Sequence, residues 1–81
     1  MTTEREVVVY STPMCAPCEQ LKRFLTEHDV RFVSKDLLMD EDAADVVERS
    51  NIRSVPVLGI DGRLYAGADL SRSNLERILG L

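Results

Sequence analysis

The chain has 81 residues and only two thiols, Cys15 and Cys18, separated by Ala16-Pro17. The apolar run Val7-Val8-Val9-Tyr10 precedes the pair and the amphipathic stretch Glu19 to His28 follows it, which puts both sulfurs at a strand-to-helix junction. The first turn of a helix carries unpaired backbone N–H groups and the positive end of the macrodipole, and both favour a thiolate over a thiol. Cys15 is therefore the expected nucleophile. Cys18, one turn further in, is the expected resolving thiol, able to swing against Cys15 and close a small disulfide ring. A tetrahedral zinc site needs about four ligands, whereas the chain offers two cysteines and His28, so no metal site is expected. A purely structural bridge is also disfavoured, because so short a ring removes little loop entropy from the unfolded chain. What remains is thiol–disulfide exchange.

Composition bounds the setting of that chemistry. The length suits one domain spanning residues 1–81, near the lower limit for a core held without staples, and 44% apolar residues suffice to build one. Met1-Thr2-Thr3-Glu4-Arg5-Glu6 has neither a basic region nor a long apolar run of the kind that begins a secretory leader. No apolar run approaches transmembrane length, so a cytoplasmic protein with no membrane partner is expected. The net charge is −4 with basic residues scattered along the chain, which lacks the electrostatic footprint of a nucleic-acid binder. The acidic run Asp40-Glu41-Asp42, with Asp45 and Glu48, reads as the solvated start of a helix, where carboxylates suit the dipole.

The elements that must position the thiols follow from periodicity. Val7 to Tyr10 is suited to a buried strand, and Cys18, Leu21, Phe24, Leu25 and His28 recur at helical spacing. Val30 to Asp36, with Phe32 and Val33, predicts a second strand, parallel to the first because a helix connects them. Asp40 can cap a second helix in which Ala43, Val46 and Val47 share a face, ending near Ser50-Asn51. Pro56-Val57-Leu58-Gly59-Ile60 and Arg63-Leu64-Tyr65-Ala66 flank Asp61-Gly62, the signature of a hairpin with a tight type I′ turn. Ser73-Asn74-Leu75-Glu76 has the form of a capping box ahead of Ile78 and Leu79. The predicted order is βαβ-α-ββ-α, an α/β fold with a central four-stranded mixed sheet flanked by helices.

That order, with Cys-x-x-Cys after the first strand and Ser54-Val55-Pro56 opening the third, resembles the thioredoxin fold, and the short chain resembles the glutaredoxins over about Val7 to Leu79. The resemblance implies that Pro56 is cis and faces the nucleophilic cysteine, leaving the backbone of Val55 to pair with an extended substrate. It also implies positions that would hold glutathione. Where glutathione-using glutaredoxins commonly have a lysine, three residues before the first cysteine, this chain has Thr12. Where they have a Gly-Gly pair and an acidic residue after the hairpin, it has Ala66-Gly67 with Asp69 nearby. Loss of a cation from a carboxylate site removes a charge-assisted hydrogen bond worth about 1.5–3 kcal/mol, which Arg53 would partly replace. The chain is similar to the NrdH-type redoxins in Arg53-Ser54-x-Pro56-Val57 and in Tyr65-Ala66-Gly67. That resemblance implies recharging by thioredoxin reductase and delivery of electrons to ribonucleotide reductase. Tyr65 and Ala68 depart from the usual Trp-Ser-Gly-Phe, and Met14 stands where thioredoxins usually carry tryptophan.

Two upstream donors stay open: thioredoxin reductase drawing on NADPH, or glutathione. In either case Cys15 attacks a target disulfide, Cys18 resolves the mixed disulfide, and the chain, a monomer, binds no cofactor. A different reading, an iron–sulfur cluster held between two chains with glutathione as further ligand, usually accompanies a single active-site cysteine. Tyr65 reads equally as a sheet-face aromatic or a partner contact, and Arg53 as a loop charge. Tyr10 and Phe24 read as core, His28 as a partner of its helix's carbonyl end, and Lys22 and Arg23 as solubilising charges or a source of local potential.

Overall fold

The computed structural model describes residues 6–81, so Met1 to Arg5, most of the stretch read for a leader, lies outside the described residues. The chain runs β1 (Val7–Ser11), α1 (Ala16–Glu27), β2 (Val33–Asp36), α2 (Glu41–Arg49), β3 (Val57–Ile60), β4 (Arg63–Ala66), a 3₁₀ turn (Gly67–Leu70) and α3 (Arg72–Leu79). The strands form one sheet in the order β2-β1-β3-β4, with β1 and β2 parallel and the other two pairings antiparallel. This is the predicted α/β architecture, and it places β1 between β2 and β3.

Every residue of β1 is buried because both faces of the sheet are covered. Side chains alternate across a strand. Val7 and Val9 accordingly pack with Leu21, Leu25, Leu58, Ile60 and Leu75, while Val8 and Tyr10 pack with Ala43, Val47 and Val57 on the other face. The first group joins α1 and α3 to the sheet, and the second joins α2. The hairpin forms as predicted. Asp61 and Gly62 both have positive φ, 50° and 88°, as a type I′ turn requires.

Local chemistry sets the helix ends. Asp40 Oδ1 accepts the Ala43 N–H at 3.0 Å, the predicted N-cap of α2. After α1, Asp29 takes φ 57° and the Val30 N–H donates to the Leu25 carbonyl at 2.8 Å, a Schellman closure. That closure corrects the start of β2. Val30 is still engaged with its helix, so the ladder to β1 begins only at the Val8–Val33 pair. Two other expectations are also revised. Val46 is 43% exposed, because a nine-residue helix buries the narrow stripe of Ala43 and Val47. The cap of α3 is Ser71, whose Oγ accepts the Asn74 N–H at 3.4 Å. Ser73 lies inside the first turn, and Glu76 is too far along to close a capping box. The 3₁₀ turn before α3 has no counterpart in the predicted elements.

Candidate active site

Cys15 is the N-cap of α1, in extended conformation, and its Sγ accepts the Cys18 backbone N–H at 3.1 Å. Pro17 occupies the first turn, where a missing N–H costs nothing because that donor has no intrahelical partner. Cys15 and Cys18 are joined as a disulfide with their Cα atoms 5.2 Å apart. Cys15 is partly exposed, whereas Cys18 is 0% exposed and lies on the buried stripe of α1 with Leu21 and Leu25. Met14, the residue before Cys15, has φ 58° and a fully exposed side chain.

Sheet register brings the second half of the site to the first. Tyr10, one residue from the end of β1, pairs with Val57 at the start of β3, so the loops carrying Cys15 and Pro56 leave the sheet side by side. The Val55–Pro56 bond is cis, as the resemblance implied. Val55 lies outside the β3 ladder, which begins at Val57. A groove of about 420 Å³ runs along this edge between α1, Pro56, the 3₁₀ turn and α3. Pro17, Leu21, Phe24, Pro56 and Leu70 make its wall apolar, and among the described residues Arg72 is the single charged one lining it.

The remaining positions singled out from sequence separate. Gly67, with φ 59°, lines the groove beside Pro56, whereas Thr12, Arg53 and Asp69 do not line it. Arg53 and Asp69 are exposed and Thr12 is half-buried. Tyr10 is buried, and Tyr65 on β4 is half-buried against the α1–α3 side of the core. The His28 ring rests on Phe24, with centroids 4.4 Å apart. As the C-cap of α1, thirteen residues beyond Cys15, it is about 20 Å from that residue. Lys22 pairs with Glu19 Oε2 at 3.0 Å on the helix surface. Arg72 and Leu70 escaped the sequence reading, because nothing local links a 3₁₀ turn to a helix some fifty residues earlier. Ser71, serving as cap, was the one signal that would have placed Arg72 at the start of α3. Among the described residues no group of three or more His, Cys, Asp or Glu is arranged to hold a metal ion, and no helix is long and apolar enough to cross a membrane.

Two sulfurs at bonding distance, one reachable and one sealed in the core, can store and release two electrons. The chain is similar to a glutaredoxin-like 8.6 kDa protein of the rubredoxin operon of Clostridium pasteurianum, 29% identical over 79 residues that cover 90% of this chain and 96% of that one. A point mutant of the thioredoxin-like protein BC3987 matches in structure with a TM-score of 0.81 at 29% identity, over 93% of this chain and 95% of that one. NrdH-redoxin from Escherichia coli, a glutaredoxin-like protein described for its thioredoxin-like activity profile, gives 0.71 at 19% identity, over 76% and 82%, a likeness of fold alone. A family model for glutaredoxins matches residues 7–65. Since that match runs from the first residue of β1 into β4 and takes in both cysteines, the chain belongs to the glutaredoxin family and is a thiol–disulfide oxidoreductase.

Proposed function

We propose that this chain reduces protein disulfides through a Cys15/Cys18 dithiol cycle and is recharged by thioredoxin reductase, in the manner of an NrdH-type redoxin. The observation that carries the reading is the asymmetry of the pair, with Cys15 partly exposed at the N-cap and Cys18 wholly buried. Cys15 thiolate attacks one sulfur of a target disulfide. The target S–S bond breaks, its other sulfur leaves as a thiolate and takes a proton, and a mixed disulfide on Cys15 remains. Cys18 then gives up its proton and attacks Cys15 Sγ, releasing the second target thiolate and forming the Cys15–Cys18 bond. Two electrons pass to the target. Substrate lies extended along Val55 beside Pro56, pairing with backbone groups that the β3 ladder leaves free.

The choice of donor is supported by the surroundings. The groove beside the cysteines has an apolar wall, with Arg72 its one charge among the described residues, and Thr12 stands where a carboxylate-binding lysine would serve glutathione. In this reading the chain works as a monomeric single domain in a reducing compartment, with ribonucleotide reductase the first target to try. The test follows NADPH oxidation during insulin reduction, once with thioredoxin reductase and once with glutathione plus glutathione reductase. Turnover with thioredoxin reductase alone is expected. Turnover with glutathione alone would make Gly67, Asp69 and Arg53 the tripeptide's contacts and overturn the choice of donor.

A further inference from the structure

Because β1 lies between β2 and β3, the site has a second flank that the groove does not use. Ser11 pairs with Asp36 just as Tyr10 pairs with Val57, so β1 and β2 end side by side, about 4.8 Å apart, and the turn after β2 emerges on the same edge of the sheet as the loop that leads to Cys15. That turn carries Leu38 and Met39, which are 72% and 83% exposed. With Met14 they are the three most exposed large apolar side chains among the described residues. The exposure is built in. Asp36 Oδ1 accepts the Leu38 N–H at 2.8 Å, and the Asp36 carbonyl accepts the Met39 and Asp40 N–H groups at 3.1 and 2.8 Å. Leu37 meanwhile turns inward onto the Ala43–Val47 side of the core, and Leu38 and Met39 are left outward.

Among the described residues, the charges lining the depression beside this ridge are of one sign. Asp36, Asp40, Glu41 and Asp42 share a shallow depression with Met39, and no lysine or arginine occurs between Lys35 and Arg49. An apolar contact beside a cluster of carboxylates repels nucleic acid and anionic lipid and suits a protein surface that is apolar and basic. A protein that brings a disulfide to Cys15 covers about 800 Å² of this chain, a footprint roughly 16 Å in radius, so the neighbouring turn falls beneath it. We infer that Leu38 and Met39, with the carboxylates around them, form a docking ridge for the disulfide-bearing protein, selecting partners whose surface beside the disulfide is apolar and basic. The inference rests on the reading that the chain reduces protein disulfides.

The test uses two synthetic peptides, each with one intramolecular disulfide and apolar flanks, identical except for three lysines in one and three glutamates in the other. Protein reduced beforehand is mixed with each in a single turnover, so that the Cys15/Cys18 dithiol supplies both electrons. The lysine peptide is expected to react about threefold faster at low salt, the advantage fading near 1 M salt as the screening length falls to about 3 Å. Glu41→Gln with Asp42→Asn, which neutralise two of the four carboxylates, should clearly reduce the preference. Leu38→Ser with Met39→Ser should slow both peptides and leave reduction of 2-hydroxyethyl disulfide unchanged. Equal rates for the two peptides with the unaltered protein, or a preference undiminished by the carboxylate substitutions, would overturn the ridge. Failure of the unaltered protein to reduce even 2-hydroxyethyl disulfide would instead overturn the reading on which it rests.

Discussion

Replacing Cys18 by serine should convert a transient mixed disulfide into a stable one. The Cα atoms of Cys15 and Cys18 are 5.2 Å apart, within the range a disulfide spans without backbone movement, so resolution is intramolecular and well oriented. Even an effective concentration at the lower end for such reactions, about 10⁵ M, exceeds 1 mM of an external thiol by about 10⁸-fold. In Cys18→Ser release of the target then depends on the external thiol and slows by about that factor. The assay mixes the variant with a disulfide substrate free of small thiols and follows the adduct by intact-mass spectrometry and peptide mapping. One substrate equivalent is expected on Cys15. The substituted hydroxyl sits at a position with no solvent exposure, which costs about 1–3 kcal/mol if it stays unpaired, so a thermal melt must accompany the trapping. Cys15→Ser supplies the complement. Serine is among the strongest N-caps and can take over the role of Cys15 Sγ in accepting the Cys18 N–H, so α1 should hold while turnover disappears. An adduct on Cys18 in Cys15→Ser, or disulfide reductase activity in that variant, would refute the assignment of roles.

Other substitutions test the frame that holds the pair. Leu25→Ala removes a fully buried side chain from the core joining α1 to the sheet; it should cost about 2–5 kcal/mol, read in urea unfolding. Asp40→Ala deletes the side-chain acceptor for the Ala43 N–H and should cost about 1 kcal/mol without changing the rate of 2-hydroxyethyl disulfide reduction. Gly59→Ala should destabilise by about 1–3 kcal/mol, because its Cβ would sit 3.2 Å from Tyr10 Cε2 and 3.3 Å from Leu64 Cδ2. An unchanged urea midpoint for Gly59→Ala would show that Tyr10 and Leu64 move aside freely.

Much of the fold was legible because its signals are local. The run Val7 to Tyr10 is apolar at every position, and β1 is buried on both faces. Asp61-Gly62 tolerates positive φ, and the turn adopts it. Asp40 caps α2 because its carboxylate reaches an N–H three residues on. The errors came where two local signals competed within a few residues. Val30 looks like a strand residue, yet the closure of α1 uses its N–H first. Ser71 and Ser73 are both competent caps, and α3 starts from Ser71, at the end of the 3₁₀ turn.

For the site, Cys15, Pro17 and Cys18 announced thiol chemistry by type and spacing alone, since N-cap geometry, a proline in the first turn and a ring of two sulfurs all lie within four residues. Which sulfur is reachable was predictable from helical periodicity, because Cys18 shares a stripe with Leu21 and Leu25. The groove was not, because its wall is assembled from α1, Pro56, the 3₁₀ turn and α3, elements whose meeting depends on sheet order and register. The same holds for the ridge. Nothing in the sequence separates Leu38 and Met39 from Leu37, which turns inward, and it is the pairing of Ser11 with Asp36, with the turn that follows it, that leaves them exposed on the edge where Cys15 lies. The sequence by itself therefore determined the reaction, since that rests on contacts a few residues long. The surfaces on either side of it were decided by tertiary structure, since they depend on which strands become neighbours.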